Sequence, residues 1–244
     1  MSQTSVKQSR TLIATAALAF VLGSLSLSAQ AAPVNFFGLD DSGGGNLLVQ
    51  PNSDAARNSF FSNLVGVGTE TFESYAIGTS APLALSFGSA GTATLTGTGV
   101  LAGPPQTGSN QYGITNSKYW FTNTGDFTIN FSGPVAAFGF YGIDIESEMT
   151  LILTKTGGGT VTIDPGNTNN SSGSIFYYGF YDTSDTYSSV QFSNPTGGFD
   201  FYAFDNMSIG SRSQVNPNPV PEPGTIALLG LGLVGLAAAR RRKQ

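Results

Sequence analysis

The feature that most constrains the fold is a succession of short β-rich runs separated by turn residues. Between residues 71 and 209, apolar or β-branched residues alternate with polar ones, and Gly, Pro, Asn or Asp separates most of the runs. Many short strands without helical crossovers are typical of antiparallel sandwiches. The pattern predicts an all-β fold, an antiparallel β-sandwich of two sheets with jelly-roll-like connections. The predicted strands are 71–77, 83–87, 92–98, 118–123, 126–131, 135–143, 149–154, 160–164, 174–180, 188–193 and 199–209.

One short helix is predicted ahead of these strands. Residues 53–65 carry apolar side chains at helical spacing, Ser53 or Asp54 can cap the first turn, and Gly66 can end the helix. The preceding residues, 32–52, are rich in Gly, Asn, Ser and Asp. They predict an edge strand or an ordered arm.

Cysteine and histidine are both absent, and this excludes several kinds of chemistry. Without cysteine there is no disulfide framework, no thiolate nucleophile and no iron–sulfur or thiolate zinc site. Without histidine there is no Ser-His-Asp or Cys-His catalysis. Charged residues make up only 10% of the chain, compared with about 25% in a typical soluble protein. Such a composition is typical of extracellular all-β proteins.

The charges are unevenly distributed along the chain. Between residues 32 and 220 there are four basic and fourteen acidic residues, so the formal charge of that span is −10. An acidic body repels phosphate backbones, so we expect no nucleic-acid partner. Divalent cations fit this charge better.

The first 31 residues predict a secretory signal peptide. A positive n-region, an apolar h-region and a small-residue cleavage site follow one another, as in such peptides. The three elements are Lys7 with Arg10, residues 12–27, and Ala29 with Ala31. We expect export through the Sec translocon and cleavage after Ala31. The alternative is an uncleaved membrane anchor.

The last 25 residues combine three elements in a fixed order. Pro221-Glu222-Pro223 precedes an uncharged apolar run over residues 224–239, which predicts a transmembrane helix, and a basic cluster follows. A helix of this length spans about 24 Å, the hydrocarbon core is about 30 Å thick, and snorkelling arginines can supply the difference. Basic residues after the span place the C-terminus in the cytoplasm and the body outside. The cluster is Arg240, Arg241, Arg242 and Lys243.

This tail resembles the PEP-CTERM sorting signal, over about residues 220–243. Proteins with this signal are exported by Gram-negative bacteria, usually ones that make exopolysaccharide, and an exosortase removes the tail near the Pro-Glu-Pro. The resemblance implies that Pro221, Glu222 and Pro223 are the recognition motif and that the basic cluster holds the segment in register. It also implies an inner-membrane intermediate, followed by the cell surface or the extracellular matrix. The alternative is an ordinary C-terminal anchor that is never processed.

These segments divide the chain into four parts. A linker that contains Pro217 and Pro219 separates the sandwich from the tail and is expected to be extended. The parts are a signal peptide over 1–31, a sandwich domain over 32–210, the linker over 211–219 and the sorting tail over 220–244.

The body resembles the globular domain of many PEP-CTERM proteins, in which a Thr-Phe-Glu strand opens the sandwich and a Phe-Asp-Asn-Met-like strand closes it. The corresponding segments are Thr71–Glu73 and Phe204–Ile209. In jelly-roll carbohydrate-binding modules the first and last strands are neighbours, and an acid on each often helps to hold a structural calcium ion. By that resemblance Glu73, Asp205 and Asp144 are candidate calcium ligands, since Ca²⁺ takes six to eight oxygens. The alternative is that these acids cap turns or accept backbone N–H groups.

A second acidic pattern is the alternation of Asp144, Glu146 and Glu148, which would share one face of a strand. A pair of such carboxylates could bind a cation or act in glycoside hydrolysis, which needs two carboxylates about 5–9.5 Å apart in a cleft. Because the sequence shows no cleft, a solvated strand-to-turn segment is the favoured interpretation.

Four aromatic residues are candidates for stacking on sugar rings, since exposed Tyr and Trp present apolar faces. Because strand side chains alternate, about half of residues 175–181 should face outward in a two-layer sandwich. The alternative is core packing, where strand aromatics mostly belong. The candidates are Tyr112, Trp120, Tyr178 and Tyr181.

Three functions are compatible with the sequence. The first is a non-enzymatic adhesion protein associated with polysaccharide and sorted by its tail. The second is a secreted polysaccharide hydrolase that uses carboxylates. The third is a plain membrane-anchored structural protein.

Overall fold

A computed structural model describes residues 32–104, 110–122, 126–146, 149–166, 171–193 and 201–216. The predicted signal peptide, the Pro-Glu-Pro motif, the predicted transmembrane helix and the basic cluster lie outside these ranges. Within them, no helix combines the length and the apolar character that a membrane crossing requires.

The described chain contains one α-helix, two short 3-10 helices and thirteen β-strands. Ten of the eleven predicted strands are present, with ends displaced by a few residues. The elements are β1 Val34–Asp40, α1 Pro51–Phe61, β2 Gly68–Glu70, β3 Leu83–Ser86, β4 Thr92–Gly97, β5 Val100–Ala102, β6 Tyr119–Thr122, β7 Phe127–Val135, β8 Ala137–Ile143, β9 Thr150–Lys155, β10 Thr160–Ile163, β11 Ile175–Tyr181, β12 Tyr187–Ser193 and β13 Tyr202–Gly210.

The strands form two antiparallel sheets. The seven-stranded sheet has the order β1-β11-β8-β13-β6-β5, with β2 paired to the second half of β13. The six-stranded sheet has the order β10-β9-β12-β7-β4-β3. Every strand pair is antiparallel, and successive strands such as β7 and β8 change sheets. The predicted all-β, antiparallel sandwich is therefore confirmed.

The predicted strand over residues 71–77 is wrong. β2 ends at Glu70, and Phe72 has a left-handed φ of 60°, so the chain turns there. The carboxylate of Glu70 stabilises this turn, because it accepts the Phe72 N–H at 2.8 Å and the Tyr75 hydroxyl at 3.0 Å. The Thr71–Glu73 segment thus follows the opening strand instead of forming it, while Phe204–Ile209 does lie in β13.

The main core lies between the two sheets and is built largely from phenylalanine. Phe127 and Phe192 stack with their ring centroids 4.3 Å apart, and Phe140 contacts Phe192 edge-on at 4.9 Å. Offset and edge-on ring pairs contribute about 0.5–1.5 kcal/mol each beyond area burial. These contacts tie β7, β8 and β12 together across the sandwich.

A second apolar layer covers the outer face of the seven-stranded sheet. Helix α1 packs on β1, β8 and β11 and inserts Phe60 over Tyr177. All seven residues of β11 are buried, as are all seven of β8. The expectation that half of residues 175–181 face solvent is therefore wrong, because the helix adds a third layer that the sequence pattern does not show.

Helix α1 begins and ends earlier than predicted. Pro51 occupies its first turn, and neither Ser53 nor Asp54 caps it. Instead Asp40, the last residue of β1, accepts the N–H groups of Asn52 at 3.0 Å and Ser53 at 2.8 Å. A carboxylate from the neighbouring strand thus satisfies the free N–H groups of the first turn.

The first part of the predicted linker is folded onto the body. Arg212–Gln214 form a 3-10 helix, and Val215 pairs with Leu64 just beyond α1. The Val65 N–H donates to the Gln214 carbonyl at 2.9 Å, and the Asn216 N–H donates to the Asn63 carbonyl at 2.8 Å. An extended linker can therefore begin only after residue 216.

The close approach of α1 to the sheet depends on glycine. A Cβ added at Gly139 of β8 would lie 2.2 Å from the Tyr177 hydroxyl and 3.0 Å from the Phe60 ring. We expect Gly139→Ala to lower the free energy of unfolding by about 1–3 kcal/mol, because the buried rings must move. Urea unfolding measures this loss.

Gly133→Ala is the matched control for that variant. Gly133 lies in β7, and nothing stands within 4 Å of a Cβ added there. This variant should be neutral or stabilising by about 0.5 kcal/mol. Equal losses in the two variants would show that backbone entropy, and not the packing of α1, decides the effect.

Candidate functional site

The candidate site of the body is the loop of residues 110–118. Three carboxylates hold this loop in place by hydrogen bonds. The loop connects to β6 and lies beside α1 on the outer face of the seven-stranded sheet. Its Tyr112 hydroxyl accepts the Leu47 N–H at 3.0 Å and donates to the Gly173 carbonyl at 2.8 Å. The three predicted calcium ligands supply the remaining anchors.

Asp205 holds the middle of the loop. It lies in β13 with no exposed surface, and one of its oxygens accepts the N–H groups of Ile114 at 2.7 Å and Thr115 at 3.0 Å. The pKa of Asp205 is raised to about 7, chiefly by burial and to a smaller extent by the nearby charge of Glu73, while the backbone N–H bonds oppose the shift. Its proton therefore exchanges near neutral pH.

Glu73 holds the end of the loop. Its carboxylate accepts the N–H groups of Ser117 at 3.1 Å and Lys118 at 2.8 Å. The Lys118 ammonium in turn donates to the carbonyls of Glu73 and Tyr75, each at 2.7 Å. The side chain of Glu73 thus binds the backbone of Lys118, and the backbone of Glu73 binds the side chain of Lys118.

Asp144 holds the start of the loop and joins it to a second loop. It bonds to the Gln111 amide, and its other oxygen accepts the Ser172 hydroxyl at 2.8 Å and the Gly173 N–H at 2.5 Å. Asn110 also donates to Ser172, at 2.6 Å. Loops that are far apart in sequence are therefore fastened together by one buried carboxylate.

Backbone strain is concentrated at the same place. Within the described ranges, four residues other than glycine have a left-handed φ: Phe72 at 60°, Asn116 at 55°, Asp144 at 60° and Asn206 at 51°. Each is an anchoring acid, the neighbour of one, or part of the loop that the acids hold. Such strain costs about 1–3 kcal/mol per residue and persists where surrounding contacts fix the conformation.

The predicted calcium ligands thus lie around one loop, but the groups that contact their carboxylates are hydrogen-bond donors. Glu73 and Asp205 are close enough to interact electrostatically, and Asp144 contacts the opposite end of the loop. Among the described residues, no group of three or more acids is arranged to hold a metal ion. These acids accept backbone N–H groups, which was the alternative that the sequence left open. Calcium binding stays a prediction.

The predicted sugar-stacking residues are buried. Trp120 has no exposed surface, and Tyr178, Tyr181 and Tyr112 are 2%, 4% and 8% exposed. The prediction that they stack on glycans in this conformation is therefore wrong, because an aromatic ring must present a face to solvent. Trp120 and Tyr178 belong to the core between the sheets, and Tyr112 and Tyr181 belong to the layer under α1.

The structure exposes a different aromatic pair. Phe201, just before β13, is 52% exposed and stacks on Phe121 of β6 with ring centroids 5.7 Å apart and planes 13° apart. The Gln111 amide donates to the Phe201 carbonyl at 3.2 Å, which fixes the pair beside the anchored loop. Sequence alternation did not identify the pair, because the predicted strand 199–209 includes Phe201, whereas β13 begins at Tyr202.

Other predicted site residues lie outside the described residues. These are the signal-cleavage residues Ala29 and Ala31, the motif Pro221, Glu222 and Pro223, the basic residues Arg240, Arg241, Arg242 and Lys243, and Glu148 of the acidic segment. Glu146 is described and exposed.

Comparison with known proteins identifies the tail. The profile of the PEP-CTERM protein-sorting motif matches residues 219–243, which include the Pro-Glu-Pro, the apolar run and the basic cluster. The predicted sorting tail is therefore confirmed, and such a tail marks an exported protein. No curated protein sequence is similar enough to match the chain.

Solved structures resemble the body only weakly. The K2 adhesin domain of Lys-gingipain is 11% identical, with a TM-score of 0.38 over 59% of this chain and 97% of its own. A family 29 carbohydrate-binding module is 15% identical, with a TM-score of 0.34 over 61% and 93%. An arabinose-bound α-L-arabinofuranosidase is 11% identical, with a TM-score of 0.34 over 60% and 26%. Similarity at this level supports no further conclusion.

Asp205 makes the stability of the fold depend on pH. Its pKa is about 7 in the folded protein, compared with the reference value of 3.8. Folding therefore takes up a proton between these values, and stability falls as the pH rises from about 4 to about 8. The whole contribution is on the order of 4 kcal/mol. In Asp205→Asn this slope should disappear from urea unfolding measured across that pH range.

Asp126→Asn is the control for the pH series. Asp126 is exposed and bonds to the Gln191 amide at 2.8 Å, away from the anchored loop. This variant should keep the slope of the wild type. A slope that survives in Asp205→Asn would assign the titration to another group.

Proposed function

We propose that this protein is an exported, non-enzymatic adhesion protein that an exosortase sorts through its C-terminal tail and that associates with polysaccharide at the cell surface or in the matrix. The observation that carries the proposal is the match of residues 219–243 to the PEP-CTERM sorting motif. A predicted signal peptide at the other end of the chain is consistent with export through the Sec translocon. Before processing, the apolar run would anchor the chain in the inner membrane.

The position of the motif relative to the body supports this order of events. Asn216 is still bonded to the body, and Pro221 follows five residues later. Five extended residues span at most about 18 Å. An exosortase would therefore cut close to a finished domain. The new C-terminus would lie beside the end of α1, where a covalent attachment would hold the sandwich by the C-terminal end of β13.

The anchored loop favours a structural role of the acids over hydrolysis. A glycosidase needs two carboxylates that face the substrate, with room for the sugar between them. Asp205 and Glu73 instead accept four backbone N–H groups from one loop. Using either as an acid or nucleophile would require the loop to be released.

Among the described residues, the exposed Phe201 stacked on the partly buried Phe121 is the best-placed aromatic surface for a glycan. Their stacked rings present a flat apolar face of the kind on which sugar rings stack. A surface of this size fits weak, repeated contacts along a polymer.

Sorting predicts a defined mature C-terminus. We expect the protein isolated from its native host to end at or near Pro221–Pro223, which intact-mass and C-terminal peptide analysis would measure. Replacing Pro221, Glu222 and Pro223 by alanine should leave the tail on, because the recognition motif is lost. Pro217→Ala, a proline outside the matched motif, is the control and should be processed normally. A wild-type mass that extends to Gln244 would leave a plain membrane anchor.

Polysaccharide association predicts a loss on truncating the exposed ring. Phe201→Ala should slow less than the wild type in affinity gel electrophoresis through exopolysaccharide from the host, because the stacking face is halved. Phe37→Ala is the control, since Phe37 is also exposed, at 41%, but lies on edge strand β1. Unchanged retardation of Phe201→Ala would exclude this pair as the glycan surface.

A further inference from the structure

The outermost strands of the two sheets differ in how their free edges are covered. Five strands have a neighbour on one side only, namely β1, β2 and β5 in the seven-stranded sheet and β3 and β10 in the six-stranded sheet. Of these, β2 is three residues long and contacts β3 and the 3-10 helix Gly88–Ala90. An uncovered edge strand offers unpaired N–H and carbonyl groups to any other strand. The coverage of each edge therefore shows where the fold permits another chain to pair.

Side chains cover the free edge of β3. The Tyr75 hydroxyl donates to the Ala84 carbonyl at 2.6 Å, and the Ser86 N–H donates to the Glu70 carboxylate at 3.1 Å. Glu70 ends β2, and Tyr75 lies in the turn that follows it. One outward carbonyl and one outward N–H of β3 are therefore occupied.

Loops and the helix cover two further edges. At β5, the Leu101 N–H donates to the Thr79 carbonyl and the Leu101 carbonyl accepts the Gly78 N–H, each at 2.8 Å. At β1, the Asn52 amide of α1 donates to the outward carbonyl of Leu39 at 3.1 Å. A specific cover is thus present on β5 and on part of β3 and of β1.

Strand β10 has no such cover. The hairpin bond from the Lys155 N–H to the Gly159 carbonyl fixes the pairing with β9 so that Val161 and Ile163 direct their peptide groups inward. Thr160 and Thr162 then direct their N–H and carbonyl groups to the outside. Nowhere in the described ranges does another residue bond to them. The strand also lacks the lysine, proline or bulge that commonly protects an edge.

We propose that β10 pairs with β10 of a second copy of this chain, in antiparallel orientation, so that two six-stranded sheets become one continuous sheet. Thr160 and Thr162 are exposed, and Val161 and Ile163 are partly buried on the core side. A two-fold axis through Thr162 places Val161 opposite Ile163 of the second copy and Thr160 opposite Asp164. Apolar side chains then meet on one face, and hydroxyl groups meet a carboxylate on the other.

Charge also favours this edge for a contact between copies. The body has a formal charge of −10, so most of its surface repels another copy. Thr160–Ile163 carry no charge, and the one cation near the hairpin, Lys155, is bonded to Asp185 at 2.6 Å. Charge repulsion between the rest of the bodies means that added salt should strengthen the pairing, because it screens that repulsion within about 10 Å at 0.1 M.

The pairing reverses the second copy. The two-fold axis between antiparallel strands is normal to the sheet, and the sheets of a sandwich lie face to face. Every strand of both sheets therefore runs in the opposite direction in the second copy, including β13, which leads to the tail. The two β13 strands run in opposite directions, which suits copies on facing surfaces more than neighbours on one membrane. This consequence, unlike the pairing itself, rests on the proposed sorting.

Cross-linking tests the pairing directly, because the chain contains no cysteine. In the exported full chain, Thr162→Cys would place two thiols at the two-fold axis, within the Cα separation of about 4.4–6.8 Å that a disulfide requires. We expect a disulfide-linked dimer on a non-reducing gel after mild oxidation. Thr94→Cys is the control, an exposed threonine of the same sheet on the inner strand β4, and it should stay monomeric.

Three results would overturn the pairing. They are a Thr162→Cys chain that stays monomeric, equal dimer yields from the two cysteine variants, and an adduct of Thr162→Cys with a different protein in place of a dimer. A second variant separates failed pairing from failed folding. Thr162→Lys should abolish the self-association of the mature protein in sedimentation velocity, whereas Thr94→Lys should leave it unchanged. Both sedimentation measurements can be made on protein released from the host.

The arrangement on facing surfaces has its own test. Two cell populations would carry Thr162→Cys with different epitope tags, and linked pairs of unlike tags should form only after mixing. Like-tag pairs formed in a dilute suspension of separated cells, which do not touch one another, would show pairing within one surface and overturn this arrangement. If sorting itself fails, the purified protein still cross-links, so the two proposals fail independently.

Discussion

The structure depends on the need to cover the seven-stranded sheet on both faces. β8 and β11 are buried along their whole length, which a two-layer sandwich cannot achieve. The six-stranded sheet covers one face, and α1 with the 110–118 loop covers the other. Gly139 lets Phe60 and Tyr177 approach the sheet, because a Cβ there would overlap with both. The third layer in turn buries Tyr112 and Tyr181.

The acids of this chain act mainly as anchors for irregular backbone. Asp40 binds the first turn of α1, Glu70 the turn after β2, and Glu73 and Asp205 the loop beside β6. A fold with few helices leaves many N–H groups in loops without a regular partner, and a buried N–H group without a partner is costly. Carboxylates accept such groups strongly.

The two proposals assign different parts of the sandwich to different tasks. The C-terminal end of β13 carries the segment that leads to the sorting tail, and the 212–216 segment is bonded to the end of α1. The exposed phenylalanine pair lies at the start of β13, and the open edge of β10 lies on the other sheet. Attachment, glycan contact and contact between copies can therefore occur together without competing for one surface.

The fold class, the tail and ten of the thirteen strands of the structure follow from the strand pattern and the motif in the sequence alone. Period-two alternation and turn residues are local signals, and the tail is a linear motif that the matched profile over 219–243 identifies without any tertiary context. What each acid binds, which aromatics are exposed and which edges are covered depend on tertiary packing and are seen only in the structure. Glu73, Asp144 and Asp205 were singled out by position, but their partners lie up to 91 residues away. Burial of Tyr178 depends on layers contributed by distant segments, which no local pattern contains.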